Sequence, residues 1–106
     1  MAVIVTLKRD PESRVRNEVI PILQELQDLA TSQPGYISGE TLYSAFNSGS
    51  TLVVSKWMSL QHWQEYENCP ERRALLDRLE PLMDQPTTTE VYADSPILES
   101  AVPNVK

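Results

Sequence analysis

At residues 51–66 the hydrophobic pattern changes period. In "TLVVSKW" the side chains alternate in steps of two, which puts Thr51, Val53, Ser55 and Trp57 on one face of a strand and Leu52, Val54 and Lys56 on the other. Two residues later Leu60, Trp63 and Tyr66 recur in steps of three, the repeat of a helix face, behind Ser59, a residue suited to cap a helix N-terminus. A strand that ends on one tryptophan and a helix that opens with another bury both rings only at a strand-to-helix corner. The span 55–70, "SKWMSLQHWQEYENCP", therefore reads as a seam that fills a core. It also holds both tryptophans, the one histidine and the one cysteine of the chain.

The rest of the chain supplies partners for that corner. "AVIVTLK" (2–8) is rich in β-branched residues and reads as a strand closed by the polar "RDPE". Asp10 and Pro11 then read as the cap and first residue of a helix. That helix carries Val15, Val19, Ile22, Leu23, Leu26 and Leu29 on one stripe as far as about Ala30. Pro21 interrupts it and predicts a kink, or regular helix only from Val19. Pro34-Gly35 stops the helix, "YISGETLYSA" follows as a strand weakened by Gly39, and "FNSGS" turns the chain into residues 51–57. Pro70 opens a third helix striped by Leu75, Leu76, Leu79, Leu82 and Met83, and "DQPTTTEVYADSP" yields a turn and a last strand. The order is β-α-β-β-α-β with the second helix split: an α+β, ferredoxin-like antiparallel sheet of four strands with its helices on one face. At 106 residues this is one domain, residues 1–95, followed by an aperiodic tail, 96–106.

Charge and cysteine content narrow the function. A net charge of −6 opposes a nucleic-acid interface and an anionic membrane surface. No stretch is long enough to span a bilayer, the opening apolar run lacks the order of a signal peptide, and a single Cys69 fits a reducing cytoplasm. The sheet face away from the helices, carrying Leu52 and Val54 or their opposite set, predicts a continuous apolar patch that a second copy would cover, and the tail around Ile97, Leu98 and Val102 predicts a clasp across that homodimer.

Four stretches in order resemble the antibiotic biosynthesis monooxygenase family of dimeric α/β barrels: "AVIVTLK", "QPGYISGETL", "LVVSKWMSLQHWQEYENCPERRALL" and "EVYADSP". The resemblance rests on Pro34-Gly35, Trp57, Met58-Ser59, Trp63 and the break at Asn68–Pro70. It implies homodimers with a cavity between sheet and helices in each subunit. It also implies, for some members, oxidation of aromatic polyketides or quinols by O2 with no metal or other cofactor, because an electron-rich phenolate can itself reduce oxygen. The alternative is a non-catalytic ligand-binding or stress-response barrel of the same fold.

On that resemblance Trp57, Tyr66 and Arg78 are the catalytic candidates, with Val53, Ser55, Trp63, Thr6 and Leu76 around the substrate. Trp57 closes the strand at the cavity wall. Trp63 occupies the place of an aromatic hydrogen-bonding residue in polyketide-oxidising relatives, although its N–H cannot accept a proton. Arg78, with Arg72 and Arg73 the arginines of the third helix, is the candidate cation for a bound phenolate. Val53 stands where the polyketide-oxidising branch carries an asparagine. Thr6, Tyr66 and Leu76 stand where the haem-degrading branch carries asparagine, tryptophan and histidine, so the chain lacks that branch's axial histidine and haem degradation is rejected. His62, beside Trp63, is expected to face solvent, and Cys69 to be an inert half-buried thiol.

Overall fold

The computed structural model describes residues 1–47 and 49–96. Strand β1 (Val3–Pro11) leads through a 3-10 turn (Ser13–Val15) into helix α1 (Arg16–Thr31). Strands β2 (Tyr36–Tyr43) and β3 (Thr51–Trp57) form a hairpin. Helices α2 (Leu60–Glu67) and α3 (Pro70–Leu79) and a second 3-10 turn (Glu80–Leu82) then lead into strand β4 (Met83–Ala93). The sheet is antiparallel, in the order β2-β3-β1-β4. The expected fold is present: four strands, a split second helix and a ferredoxin-like order. Among the described residues no helix is long and apolar enough to cross a membrane.

The alternation read for β3 holds, with Thr51, Ser55 and Trp57 buried under the helices and Leu52 exposed on the other side. Strand β1 alternates in the same way: Val3, Val5, Leu7, Arg9 and Pro11 are all buried. Two aliphatic and aromatic clusters divide the interior. One joins Val3, Val5, Leu7 and Ala30 to Trp57, Trp63 and Tyr66; the other joins Val19, Ile22, Leu23 and Leu26 of α1 to Leu79 of α3.

Three boundaries differ from the sequence reading. Asp10 and Pro11 do not begin the helix. They continue β1, pairing with Gln85 and Met83 of β4, and the Asp10 carboxylate accepts a hydrogen bond from Ser50 Oγ (2.6 Å). Sheet pairing outweighs the local cap signal, and two register shifts absorb the fit at this end of the sheet. Helix α1 begins at Arg16, ahead of Val19, and Pro21 lies within it on the exposed side. Met83, counted with the third-helix stripe, is the first residue of β4, whose edge position tolerates Pro86.

Ser59 caps α2 as expected, its Oγ accepting from the His62 backbone N–H (3.2 Å). His62 itself does not face solvent. Its ring is half-buried, with Nδ1 2.7 Å from Ser59 Oγ, and packs onto Gly35 so closely that a Cβ there would fall 2.2 Å from His62 Cγ. Gly35 also has φ 81°, so the turn requires glycine twice over. The outer sheet face carries Ile4, Leu42, Leu52, Val54 and Tyr92, but Lys8, Lys56, Glu40 and Glu90 lie among them. It is a mixed surface rather than the continuous apolar patch expected. The tail residues Ile97, Leu98 and Val102 lie outside the described residues.

Candidate functional site

Between sheet and helices a cavity opens over the aromatic cluster. Trp57, fully buried at the end of β3, is its centre. Its ring stacks on Tyr66 at 5.1 Å and 22°, while Trp63 approaches edgewise at 5.8 Å and Tyr36 at 5.4 Å and 84°. These separations and tilts are those at which aromatic quadrupoles attract. Trp57 Nε1–H donates to Ser55 Oγ two residues back on the same strand face (3.0 Å), and the Tyr66 hydroxyl donates to the Leu26 carbonyl of α1 (3.1 Å). Both polar handles are thus spent on holding the rings. Tyr36 is held as well: Gln27 Nε2 donates to its hydroxyl (3.3 Å), and that hydroxyl lies 2.7 Å from where a Cβ on Gly39 would be. The glycine that weakens β2 makes room for the Tyr36 ring.

Two cations face this aromatic wall. Arg72, on the first turn of α3, lies over both Trp63 and Tyr66, its guanidinium carbon 5.3 Å from each ring centre, and its Nη1 donates to the Glu67 carbonyl (3.3 Å). Arg9 enters from β1 at a position the pleat reserves for core side chains. It is only 3% exposed, and its Nε–H has no hydrogen-bond partner among the described residues. Burial lowers the Arg9 guanidinium from the ordinary arginine value to about 10, and the neighbouring charge of Arg72 acts in the same direction. Arg9 remains charged at neutral pH. Burial likewise raises the Tyr66 hydroxyl above the ordinary tyrosine value, against the opposing pull of Arg72, so Tyr66 is a protonated donor at neutral pH. Among the described residues no carboxylate or histidine lines the cavity. Chemically this is an aromatic slot with an unneutralised positive end, suited to a planar, anionic guest.

The space a water-sized body can occupy here is about 30 Å3. A benzene ring needs on the order of 150 Å3. The void is thus smaller than an aromatic ring.

Of the residues picked from sequence, Trp57, Tyr66, Trp63, Val53 and Ser55 line this cavity, and Thr6, Leu76 and Arg78 do not. Thr6 falls between Val5 and Leu7, so the pleat turns it to the outer face, where it pairs with Val54 and Glu90. Leu76 packs against the aliphatic cluster. Arg78 lies on the outside of α3 and pairs with Glu25 of α1 (3.1 Å), both side chains more than half exposed. The cation near the aromatics is Arg72, joined by Arg9. Cys69 is half-buried, as expected, and packs against the aromatic cluster.

Arg9, Tyr36 and Gln27 were not among the sequence candidates. For Arg9 a signal existed: extending the step of two from Val3, Val5 and Leu7 lands on it. Tyr36 and Gln27 meet only through the fold and carry no such signal.

A profile of the antibiotic biosynthesis monooxygenase family matches residues 1–78. No curated protein sequence matches the chain. Among solved structures, the fold is similar to a conserved protein from Methanosarcina mazei, with a TM-score of 0.84 at 14% identity over 90% of this chain and 94% of that one. It is similar to Rv0793 from Mycobacterium tuberculosis, with a TM-score of 0.81 at 19% identity over 94% and 99%. It is also similar to SnoaB, a cofactor-independent oxygenase from Streptomyces nogalater, with a TM-score of 0.80 at 12% identity over 92% and 97%. At these identities the likeness to the solved structures is one of fold. With the profile covering residues 1–78, the strand-to-helix seam and both arginines included, the chain belongs to the antibiotic biosynthesis monooxygenase family.

Proposed function

We propose that the protein is a cofactor-independent monooxygenase that oxidises a small aromatic, polyketide-like or quinol substrate with O2. The observation that carries this reading is the pair of buried arginines, Arg9 and Arg72, facing an aromatic wall with no carboxylate among the described residues that line the cavity. A phenol stacked there loses its proton to solvent more readily, because two desolvated cations favour its anion. None of the described lining residues is a base, and on this reading the cations take over that part of the work. The phenolate gives one electron to O2, and the resulting radical pair combines to a peroxide on the ring carbon. Loss of water then leaves a new carbonyl. For a hydroquinone the balance is substrate plus O2 to hydroxyquinone plus water, with all four electrons coming from the substrate. Trp57, Trp63 and Tyr66 hold the ring and exclude water. Oxygen uptake on a panel of hydroquinones and anthrones tests this; uptake should fall strongly in Arg72→Met, and a folded protein that consumes no oxygen with any of them defeats the proposal.

The rival reading, a binding barrel without catalysis, draws on the spent hydroxyl of Tyr66 and the spent indole N–H of Trp57, which leave neither group free to handle a proton. Ligand retention without oxygen uptake in the same panel favours it.

The protein acts as a homodimer in the cytoplasm on this proposal. Leu42, Leu52 and Tyr92 are exposed on the outer sheet face, and the charges of both signs around them suit a two-fold, self-complementary contact. Sedimentation should give twice the chain mass, and Val54→Asp should lower it; a monomeric unmodified protein would sink the assembly.

A further inference from the structure

Three buried polar atoms lack hydrogen-bond partners among the described residues: Arg9 Nε, Thr51 Oγ1 and Arg16 Nε. Burying such groups unpaired is unfavourable, and native proteins rarely tolerate it without a guest, an ion or water to satisfy them. Here all three fall in one region. Arg9 and Thr51 are direct cross-strand partners in the β1–β3 ladder, both on the helix-facing side and both at least 95% buried. Side chains so paired stand about 5 Å apart at Cβ, close enough to address one small group together. Arg9 lines the aromatic cavity. Thr51 and Arg16 line a second cavity beside the start of α1, bounded also by Tyr43, Ser44 and Gly49. Leu23 lines both, so the Arg9–Thr51 pair stands where the aromatic cavity meets the second.

We propose that Arg9, Thr51 and Arg16 form an anion subsite that takes a carboxylate carried on the substrate, making the substrate an aromatic acid whose ring lies against Trp57, Trp63 and Tyr66. This rests on the reading of the aromatic cavity as a substrate site and adds a second point of recognition to it. A carboxylate has two acceptor oxygens. One takes the Arg9 Nε–H, and the other takes the Thr51 hydroxyl and the Arg16 Nε–H, which satisfies all three orphaned groups. Arg72 is left to face the ring oxygen. The division of labour explains why a second buried arginine stands so close to the first: each cation has its own anionic group.

Both tryptophans of the chain belong to the aromatic wall, so their fluorescence reports a ring bound there. The test is a titration of 3-(4-hydroxyphenyl)propionate against its methyl ester, with oxygen uptake recorded on the hydroquinone analogues of the same pair. The acid should bind on the order of tenfold more tightly than the ester or better, the range of one charge-assisted hydrogen bond. Thr51→Val, which keeps the side-chain shape, and Arg9→Met should each erase most of that preference. Arg73→Met, an exposed change on α3, should keep it. Equal binding of acid and ester, or a preference that survives both Thr51→Val and Arg9→Met, overturns the subsite. An acid preference that depends on these residues without any oxygen uptake keeps the subsite and removes the oxygenase reading. Oxygen uptake with no acid preference does the reverse.

Discussion

Helix α1 faces two interiors along one length. Its first turns, with Val19, Ile22 and Leu23, meet Leu79, Leu75 and Leu76 of α3 in a cluster made of aliphatic side chains. Its last turns, with Leu29, Ala30 and the Leu26 carbonyl, meet Trp57, Trp63 and Tyr66. The aliphatic half buries hydrocarbon and asks nothing more of its members than shape. In the aromatic half every large side chain is also tied by direction, by ring geometry or by a hydrogen bond to a named partner, and two charges are buried with it. A core built for stability alone has no use for that second arrangement. On the proposed function, the half of the core that is expensive to keep is the half that binds the substrate.

The largest effects should come from opening each half in turn. Leu79→Ala, at a side chain 1% exposed, should cost about 2–5 kcal/mol in chemical denaturation and leave ligand-induced tryptophan quenching intact. Trp57→Ala should cost about 3–5 kcal/mol and abolish that quenching as well, since it removes the ring on which Tyr66 and Tyr36 pack. If the two variants lose ligand binding in proportion to their lost stability, the two halves do not differ as described.

A sharper form of the comparison inverts the sign. Arg9 is a buried charge without a partner on Nε among the described residues, so it burdens the fold. A guanidinium lowered to about 10 is protonated less tightly folded than unfolded. The penalty is therefore whole below about 10, and it fades as pH rises from there toward the ordinary arginine value. At neutral pH it amounts to roughly 3 kcal/mol. Arg9→Met should raise the unfolding free energy by an amount of that order, constant from pH 6 to 9, while weakening binding of anionic ligands. A destabilised Arg9→Met would mean that the arginine is held by contacts better than those described.

The same contrast decides what the sequence could disclose. The aliphatic stripe of α1 and the alternation of β3 follow from period alone, so Trp57, Val53 and Ser55 were legible as one face. Trp63 and Tyr66, at i and i+3 behind a serine cap, were legible as another. Thr6 was misplaced because a family position was carried over without regard to the parity set by Val3, Val5 and Leu7. Arg9 was lost because Arg-Asp-Pro-Glu reads locally as a strand end, whereas pairing with β4 carries the strand on to Pro11. Pairing across some 75 residues leaves no trace in a local window. Tyr36 over Gly39, and Gln27 on Tyr36, are likewise products of the assembled sheet.

Arg72 and Arg78 give the smallest and most discriminating test. Both are arginines of one helix, six residues apart. Arg72 stands four residues before Leu76 and seven before Leu79, on the buried stripe, which is why its stem is covered and its guanidinium meets two rings. Arg78 stands beside that stripe and meets Glu25 in water. An exposed pair of this kind contributes between about 0 and 1 kcal/mol, so Arg78→Met should change the denaturation midpoint barely and leave the affinity for phenolic ligands as it was. Arg72→Met keeps much of the buried stem, removes the charge over Trp63 and Tyr66, and should weaken phenolate binding by on the order of tenfold with only a modest change in stability. Equal affinities in the two variants would mean that the aromatic end of the core recognises its guest by shape, and that the buried charge on α3 is there for some other reason.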